Sequence, residues 1–176
     1  MRVNPYGEEP VRLAVELVNN PPSSLEELLQ RCSAVGILVP DGTNDDEMPK
    51  LDAVMTRWLR VVDSPPGTAR AGVLNELLAA STTHPMLTDH AGTEWHLHYR
   101  PEHASLTDVL ASMIYVGTAL LLTGRGMHRL GRCEVQECTR VFVDISRPGT
   151  QRHCSVRCAN RNAVRRHRAA QHFVLE

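Results

Sequence analysis

Hydrophobic residues recur every three or four positions through most of the chain, and this period predicts a mainly helical protein. The repeat is clearest in residues 11–19, in 24–35, in 48–62, in 68–81 and in 105–123. Serine is the first residue of the second and fifth of these segments, with acidic residues within the next three positions, which is the usual way a helix begins. The pattern therefore predicts a body of five helices.

The period changes to two where Trp95, Leu97 and Tyr99 alternate with polar residues. Strict alternation is typical of a strand with one buried face, so these three side chains are expected to point into the protein. Residues 86–88 can pair with this strand across a turn at 89–92. The pattern thus adds one short β-hairpin to the helical body.

The chain has 176 residues, of which 42 % are hydrophobic and only 4 % aromatic, so its core is expected to consist mainly of Leu, Val and Ala. This length suits one main domain with a small appendage. No apolar run reaches the 18–20 residues of a membrane span, and the first residues lack the apolar run of a secretory signal. A cytoplasmic location with reduced thiols is therefore expected.

Charge is unevenly distributed along the chain, although the net charge is only −1. Residues 1–127 hold nine basic and 16 acidic residues, which gives −7, whereas residues 128–176 hold ten arginines and four acidic residues, which gives +6. An acidic body with a basic tail indicates that the tail meets an anionic partner. The same division predicts two domains, 1–127 and 128–176.

Four of the five cysteines lie in the basic tail, in the pattern C-x4-C-x15-C-x3-C: Cys133, Cys138, Cys154 and Cys158. Two close pairs joined by a longer arm are the arrangement that tetrahedral Zn²⁺ requires, whereas four clustered thiols without metal are the alternative. Four thiolates leave no open position for water or substrate, so the sequence predicts one structural zinc and no enzyme. The remaining Cys32 is expected to be a small core residue.

The tail holds few large apolar side chains and cannot fold on core burial alone, whereas a structural zinc supplies roughly 10–16 kcal/mol of apparent binding free energy. A short strand is predicted at 141–143, followed by a turn at 146–149. Ser155 can cap a last helix that runs to about residue 171.

The last helix carries arginines on successive turns, with no acidic residue between Arg147 and Glu176. Like charges at this spacing repel one another unless an anion neutralises them. We therefore expect contacts to nucleic-acid phosphates or bases, whereas an ordinary solvated face is the alternative. The expected contact residues are Arg157, Arg161, Arg165, Arg166 and Arg168.

Three histidines form a second candidate cluster, H-x-H-x4-H: His96, His98 and His103. They could hold a second metal and make the protein a metal-dependent enzyme. The favoured interpretation is that they are solvent-facing residues of the half-buried strand. No phosphate-binding loop or nucleophile-elbow motif is present to support an enzyme.

The string CSVRCANR at 154–161 resembles the end of the CGNR zinc finger family, and Phe142, Asp144 and Ser146 match its F-x-D-x-S segment. Ala159 stands where the family has its name-giving glycine. Upstream, RLAVELVNN resembles the opening of the ABATE domain that usually precedes this finger, with Glu16 and Asn19 at its acid and asparagine. EWHLHYRP at 94–101 resembles the strand before the last helix of that domain.

This resemblance implies a stress-induced transcription regulator of bacteria whose finger binds DNA. It also implies that residues 1–127, as an ABATE domain, bind a small-molecule ligand or form a homodimer. The basic helix could alternatively dock on a protein, including the acidic body of the same chain. The expected fold class is α+β and predominantly α-helical: a helical domain with a short β-hairpin, then a small four-cysteine finger with one strand and a C-terminal helix.

Overall fold

A computed structural model describes residues 7–89, 95–101 and 103–173, with side chains up to residue 168. It is predominantly helical, with two short antiparallel strand pairs, so the expected α+β fold class is confirmed. The helices are α1 Glu8–Asn19, α2 Leu25–Ala34, α3 Glu47–Asp63, α4 Thr68–Ser81, α5 Leu106–Arg125 and α6 Val156–Phe173. The strands are β1 Met86–Thr88, β2 His96–His98, β3 Leu130–Arg132 and β4 Val141–Val143.

Helix α5 is the centre of the core and packs against α1, α3 and α4. It is long and apolar enough by length and composition to cross a membrane, yet 72 % of that window is buried inside the protein. Leu110, Ile114 and Leu121 have no exposed surface. The apolar character of α5 is therefore that of a core helix, and Cys32 lies in the same core, as expected.

The start of α5 is fixed by a buried carboxylate. Glu47, at the start of α3, accepts hydrogen bonds from the Thr107 amide at 2.7 Å and the Thr107 hydroxyl at 2.9 Å. Burial by itself would raise the pKa of Glu47, but the hydrogen bonds from Lys50 and Thr107 outweigh it and lower the pKa. An ionised Glu47 therefore anchors α5 to α3, beside the cap that Ser105 provides.

The strand pair β1–β2 forms as expected, with Leu87 opposite Leu97, but its predicted burial is wrong. Trp95 is 66 % exposed and Leu97 47 % exposed, whereas His96 and His98 are partly buried. The turn expected at 89–92 extends beyond the described residues. Alternation determines which side chains share a face, but in a two-stranded ribbon it does not determine which face turns towards the body.

The strand pair β3–β4 lies against the helical body, next to α1 and α3. Leu130 and Val141 belong to the same hydrophobic core as the helices. Their register places Leu130 opposite Val143. The first part of the basic tail is thus packed on the acidic body, and the division at 127/128 stays a prediction about how the chain folds.

Two side chains hold this strand pair in place. The Asn19 amide at the end of α1 donates to the Val141 carbonyl and accepts from the Val141 amide, both at 2.9 Å. The buried guanidinium of Arg70 donates to the Leu130 carbonyl at 2.9 Å, to Val62 at 2.9 Å, and also to Met127 and Ser64. Both side chains act on main-chain atoms that would otherwise be buried without partners.

Candidate metal centre

The four tail cysteines come together, and their sulfur atoms all lie within 4.8 Å of one another. The Sγ atoms of Cys138 and Cys154 are 3.7 Å apart, those of Cys154 and Cys158 3.7 Å, and those of Cys158 and Cys138 3.9 Å. A tetrahedral zinc with Zn–S bonds of ~2.3 Å requires sulfur atoms about 3.8 Å apart. The donor set therefore fits one zinc ion, and four sulfurs complete its coordination shell.

Each cysteine pair is presented by a different piece of local structure. Cys133 follows β3 and extends the hairpin, because its amide donates to the Arg140 carbonyl at 2.9 Å, and the Cys138 amide closes a turn onto Val135 at 2.8 Å. Cys154 and Cys158 bracket the start of α6, where the Ser155 hydroxyl accepts from the Cys158 amide at 3.2 Å. Ser155 thus caps α6, as predicted.

The four thiols need a shared cation to be ionised together. Burial first, and then the neighbouring Cys138 and Cys158 sulfurs, together raise the pKa of the Cys154 thiol to about 12. A hydrogen bond with Ser155 lowers the pKa of Cys158. Thiols this close cannot all ionise without a positive charge between them, and a bound metal ion supplies it. The start of α6 adds the positive end of its helix dipole.

Asp144 organises the loop that returns the chain to the second cysteine pair. Its buried carboxylate accepts from the Ser146 amide at 2.9 Å and from the Gln151 amide at 2.8 Å, and Arg129 lies 3.7 Å away. Burial alone would raise the pKa of Asp144, but these hydrogen bonds and Arg129 together lower it. This is the physical reason for the F-x-D-x-S segment, because Asp144 and Ser146 fold the arm between the cysteine pairs.

The guanidinium of Arg129 lies against Gly149, which belongs to the same loop as Asp144. It donates to the Ser146 carbonyl at 2.5 Å, and a Cβ at position 149 would lie 2.6 Å from its Cζ. Gly149 also has a positive φ of 67°. A side chain there would meet both the guanidinium and backbone strain, so the loop requires glycine at this position.

The predicted contact arginines lie on α6 and are exposed: Arg157, Arg161, Arg165, Arg166 and Arg168. Arg165 pairs with Glu137 at 2.8 Å, in the turn that carries the first cysteine pair. Arg161 has no hydrogen-bond or ion-pair partner within the described part of the chain. After its first turn α6 makes no extensive contact with another described helix or strand. Their contacts with nucleic acid stay a prediction.

The three candidate histidines are not assembled into a site of three ligands. His96 and His98 contact each other, with their Nε2 atoms 3.1 Å apart, but His103 is not part of a shared cluster. In the ranges 7–89, 95–101 and 103–168, the four cysteines are the only group of at least three side chains placed to hold a metal. The prediction that His96 and His98 face solvent is wrong, since both are half-buried.

Several residues that support the metal centre were not singled out as site residues from the sequence. Arg129, Arg70 and strand β3 were not predicted, because a single arginine or a three-residue strand produces no periodic pattern in the sequence. Asn19 was singled out only through the family resemblance. Its pairing with Val141 joins residues 122 positions apart, which no local pattern reveals.

Residues 129–171 match the family model of the CGNR zinc finger. No curated protein matches the chain significantly. The family match covers both cysteine pairs, the Asp144 loop and most of α6, so the zinc-finger part of the resemblance is confirmed. The ABATE resemblance of residues 1–127 stays a prediction.

Proposed function

We propose that this protein binds nucleic acid through α6 and acts as a bacterial transcription regulator in the cytoplasm. The observation that carries the proposal is the surface of α6, which presents five exposed arginines and no acidic residue in its described length. Because α6 after its first turn packs extensively on no other described helix or strand, a binding partner is expected to use its surface. Phosphate groups are negatively charged and can neutralise such a surface, whereas water can only solvate it.

The ion pair between Arg165 and Glu137 does not compete strongly with this role. Both side chains are about half exposed, at 48 % and 58 %, and such surface pairs contribute ~0–1 kcal/mol. A phosphate can replace the carboxylate at small cost. Arg161 is the stronger candidate, because no described carboxylate or carbonyl engages it. An arginine that braced the metal loop would donate to carbonyls of that loop, so this favours a phosphate contact for Arg161.

Zinc has a structural role in this proposal. Bound to Cys133, Cys138, Cys154 and Cys158, it would join the end of the β3–β4 hairpin to the start of α6 and fix the direction of the helix. Its full sulfur shell leaves no position for a reacting water, which supports a binding protein over an enzyme. For residues 1–127 we propose ligand sensing or homodimer formation, in keeping with their ABATE-like sequence.

The salt dependence of binding tests the proposal. With three or four phosphates neutralised, log K against log salt should have a slope of about −3, and Arg161→Ala should reduce its magnitude by roughly 1. Arg60→Ala, on the surface of α3, is the matched control and should leave the slope unchanged. Zinc content should be one per chain in all three proteins.

Two results would refute the proposed function. One is an unchanged affinity and slope in the double variant Arg161→Ala/Arg165→Ala. The other is a salt-sensitive contact of the tail with the acidic body, or with another protein, in the absence of any nucleic-acid binding. The second result would identify α6 as a docking module.

A further inference from the structure

Helix α6 has one side that faces the metal centre. Three side chains define this side by their contacts: Cys158 belongs to the sulfur cluster, Asn162 contacts the His153 ring at 3.1 Å, and Arg165 pairs with Glu137. At about 100° per residue, these three positions fall within an arc of roughly 60°. The remaining arc of the helix circumference, roughly 300°, lies outside these three contacts.

A second set of side chains falls within an adjacent arc of about 100°, centred roughly 120° around the helix axis from the metal-facing side, and we name it the outer stripe. All of its members are exposed. They follow the spacing i, i+3, i+4, i+7 and i+11: Arg157, Asn160, Arg161, Val164 and Arg168.

The composition of the outer stripe differs from that of a surface that only attracts phosphates. Such a surface needs cations alone, whereas this one interleaves them with an amide at Asn160 and an apolar side chain at Val164, which is 49 % exposed. Valine is less favourable on an exposed helix than Ala or Lys, so local helix stability does not explain it. Arg, Asn and small apolar groups are the side chains that recognise base edges in duplex DNA.

We infer that the outer stripe lies in the major groove of double-stranded DNA and reads its sequence. The inference deepens the proposed function and rests on it. Arg157 and Arg161 can each donate two hydrogen bonds to guanine O6 and N7, Asn160 can pair with adenine N6 and N7, and Val164 can contact a thymine methyl.

The dimensions of α6 select duplex DNA among the nucleic acids. A helix with its side chains is ~10–12 Å across, and the major groove of B-DNA is about 12 Å wide. The major groove of A-form RNA is too deep and narrow to be read in this way. The 18 residues of α6 extend for roughly 27 Å, and no described helix or strand packs extensively along them. The outer stripe is therefore not covered by another described helix or strand.

Arg166 provides an internal control. It is exposed, as Arg161 is, but it lies about 140° away around the helix axis. A side chain at that angle cannot enter the same groove as the outer stripe. Arg166 therefore contributes at most to phosphate attraction, which is the same for every sequence.

The experiment uses the full-length, zinc-loaded protein. A selection from random duplex DNA should enrich a motif, and titration at one salt concentration should give at least a ~100-fold preference for that motif over a scrambled duplex. Asn160→Ala should reduce this preference by about tenfold, at one adenine position, and change affinity for the scrambled duplex less than about twofold. Arg166→Ala should lower the affinity for the motif and for the scrambled duplex by the same factor and leave the preference for the motif unchanged.

Folding is checked by zinc content and far-UV circular dichroism, and Asn160→Gln, which retains the amide, provides a second variant at the same position. The inference is overturned if Asn160→Ala and Asn160→Gln both keep the full preference. It is also overturned if the selection enriches nothing, or if single strands or RNA bind more tightly, while the salt-dependent binding of the proposed function persists. A protein that binds no nucleic acid at all overturns both.

Discussion

Replacement of Asn19 by alanine should destabilise the protein far more than the same change at the next residue. The Asn19 side chain makes both hydrogen bonds to Val141, each 2.9 Å long, and Val141 has no exposed surface. Asn19→Ala would leave one donor and one acceptor of the main chain without partners in a buried site. Each such group costs about 1–3 kcal/mol, so the two together give an expected loss of roughly 2–6 kcal/mol.

Asn20 is the matched control because it is the same residue type at the same helix end. It is exposed, and its side chain accepts one long hydrogen bond, at 3.3 Å, from Arg140. Asn20→Ala should cost less than about 0.5 kcal/mol, as most exposed substitutions do. Urea unfolding followed by circular dichroism, with zinc present throughout, measures both differences.

A second measurement connects the pairing to the metal. The Cys133 amide donates to the carbonyl of Arg140, the residue just before β4. A loosened β4 should therefore release zinc to a chelator faster in Asn19→Ala than in Asn20→Ala. If the two variants unfold at the same urea concentration and lose zinc at the same rate, the Asn19–Val141 pairing does not hold the finger on the body.

Two further predictions concern charge and metal. Glu47 has a lowered pKa in the folded protein, so its ionised form stabilises the fold fully above the unfolded-state pKa of ~4, and this contribution is lost as the pH falls through the lower folded-state value. Glu47→Gln should therefore be less stable than the native chain at pH 7, with a stability difference that narrows as the pH falls below about 4, whereas exposed Glu76→Gln should show little difference at either pH, as urea unfolding at each pH would measure. Cys154→Ser should abolish stoichiometric zinc binding and expose the segment between residues 133 and 158 to protease, while α1–α5 stay folded. The control Cys32→Ala should keep one zinc per chain; elemental analysis and limited proteolysis measure both outcomes.

The elements that were predicted correctly are those specified by local patterns. Helical periodicity and a capping serine place α2 and α5 to within about one to two residues, because both signals arise within a few turns of chain. The spacing of the cysteines predicts the zinc centre for the same reason, since each pair closes a short turn. The four sulfur ligands could therefore be predicted without knowledge of the rest of the fold.

The features that were missed depend on contacts between distant parts of the chain. The β1–β2 ribbon turns Trp95 outwards, although its alternation suggested the opposite, because burial depends on what packs over the ribbon. Strand β3 has Gly131 at its centre and no β-branched residue, so it has no strand signature. Its position is determined by pairing with β4 and by the hydrogen bond from the Arg70 guanidinium. Neither contact can be inferred from the local sequence.

The position of Arg70 has a consequence for any attempt to divide the protein into fragments. Arg70 is 3 % exposed, and its guanidinium donates to carbonyls on both sides of the charge boundary, at Val62 and at Leu130. A chain cut after residue 127 would keep this buried cation but lose the Leu130 acceptor, together with the Leu130 and Val141 side chains that complete the core. Such a fragment would have an exposed apolar surface and a poorly satisfied charge, and it would tend to aggregate. A fragment that also includes β3 and β4 would keep these contacts and lack only the second cysteine pair and α6.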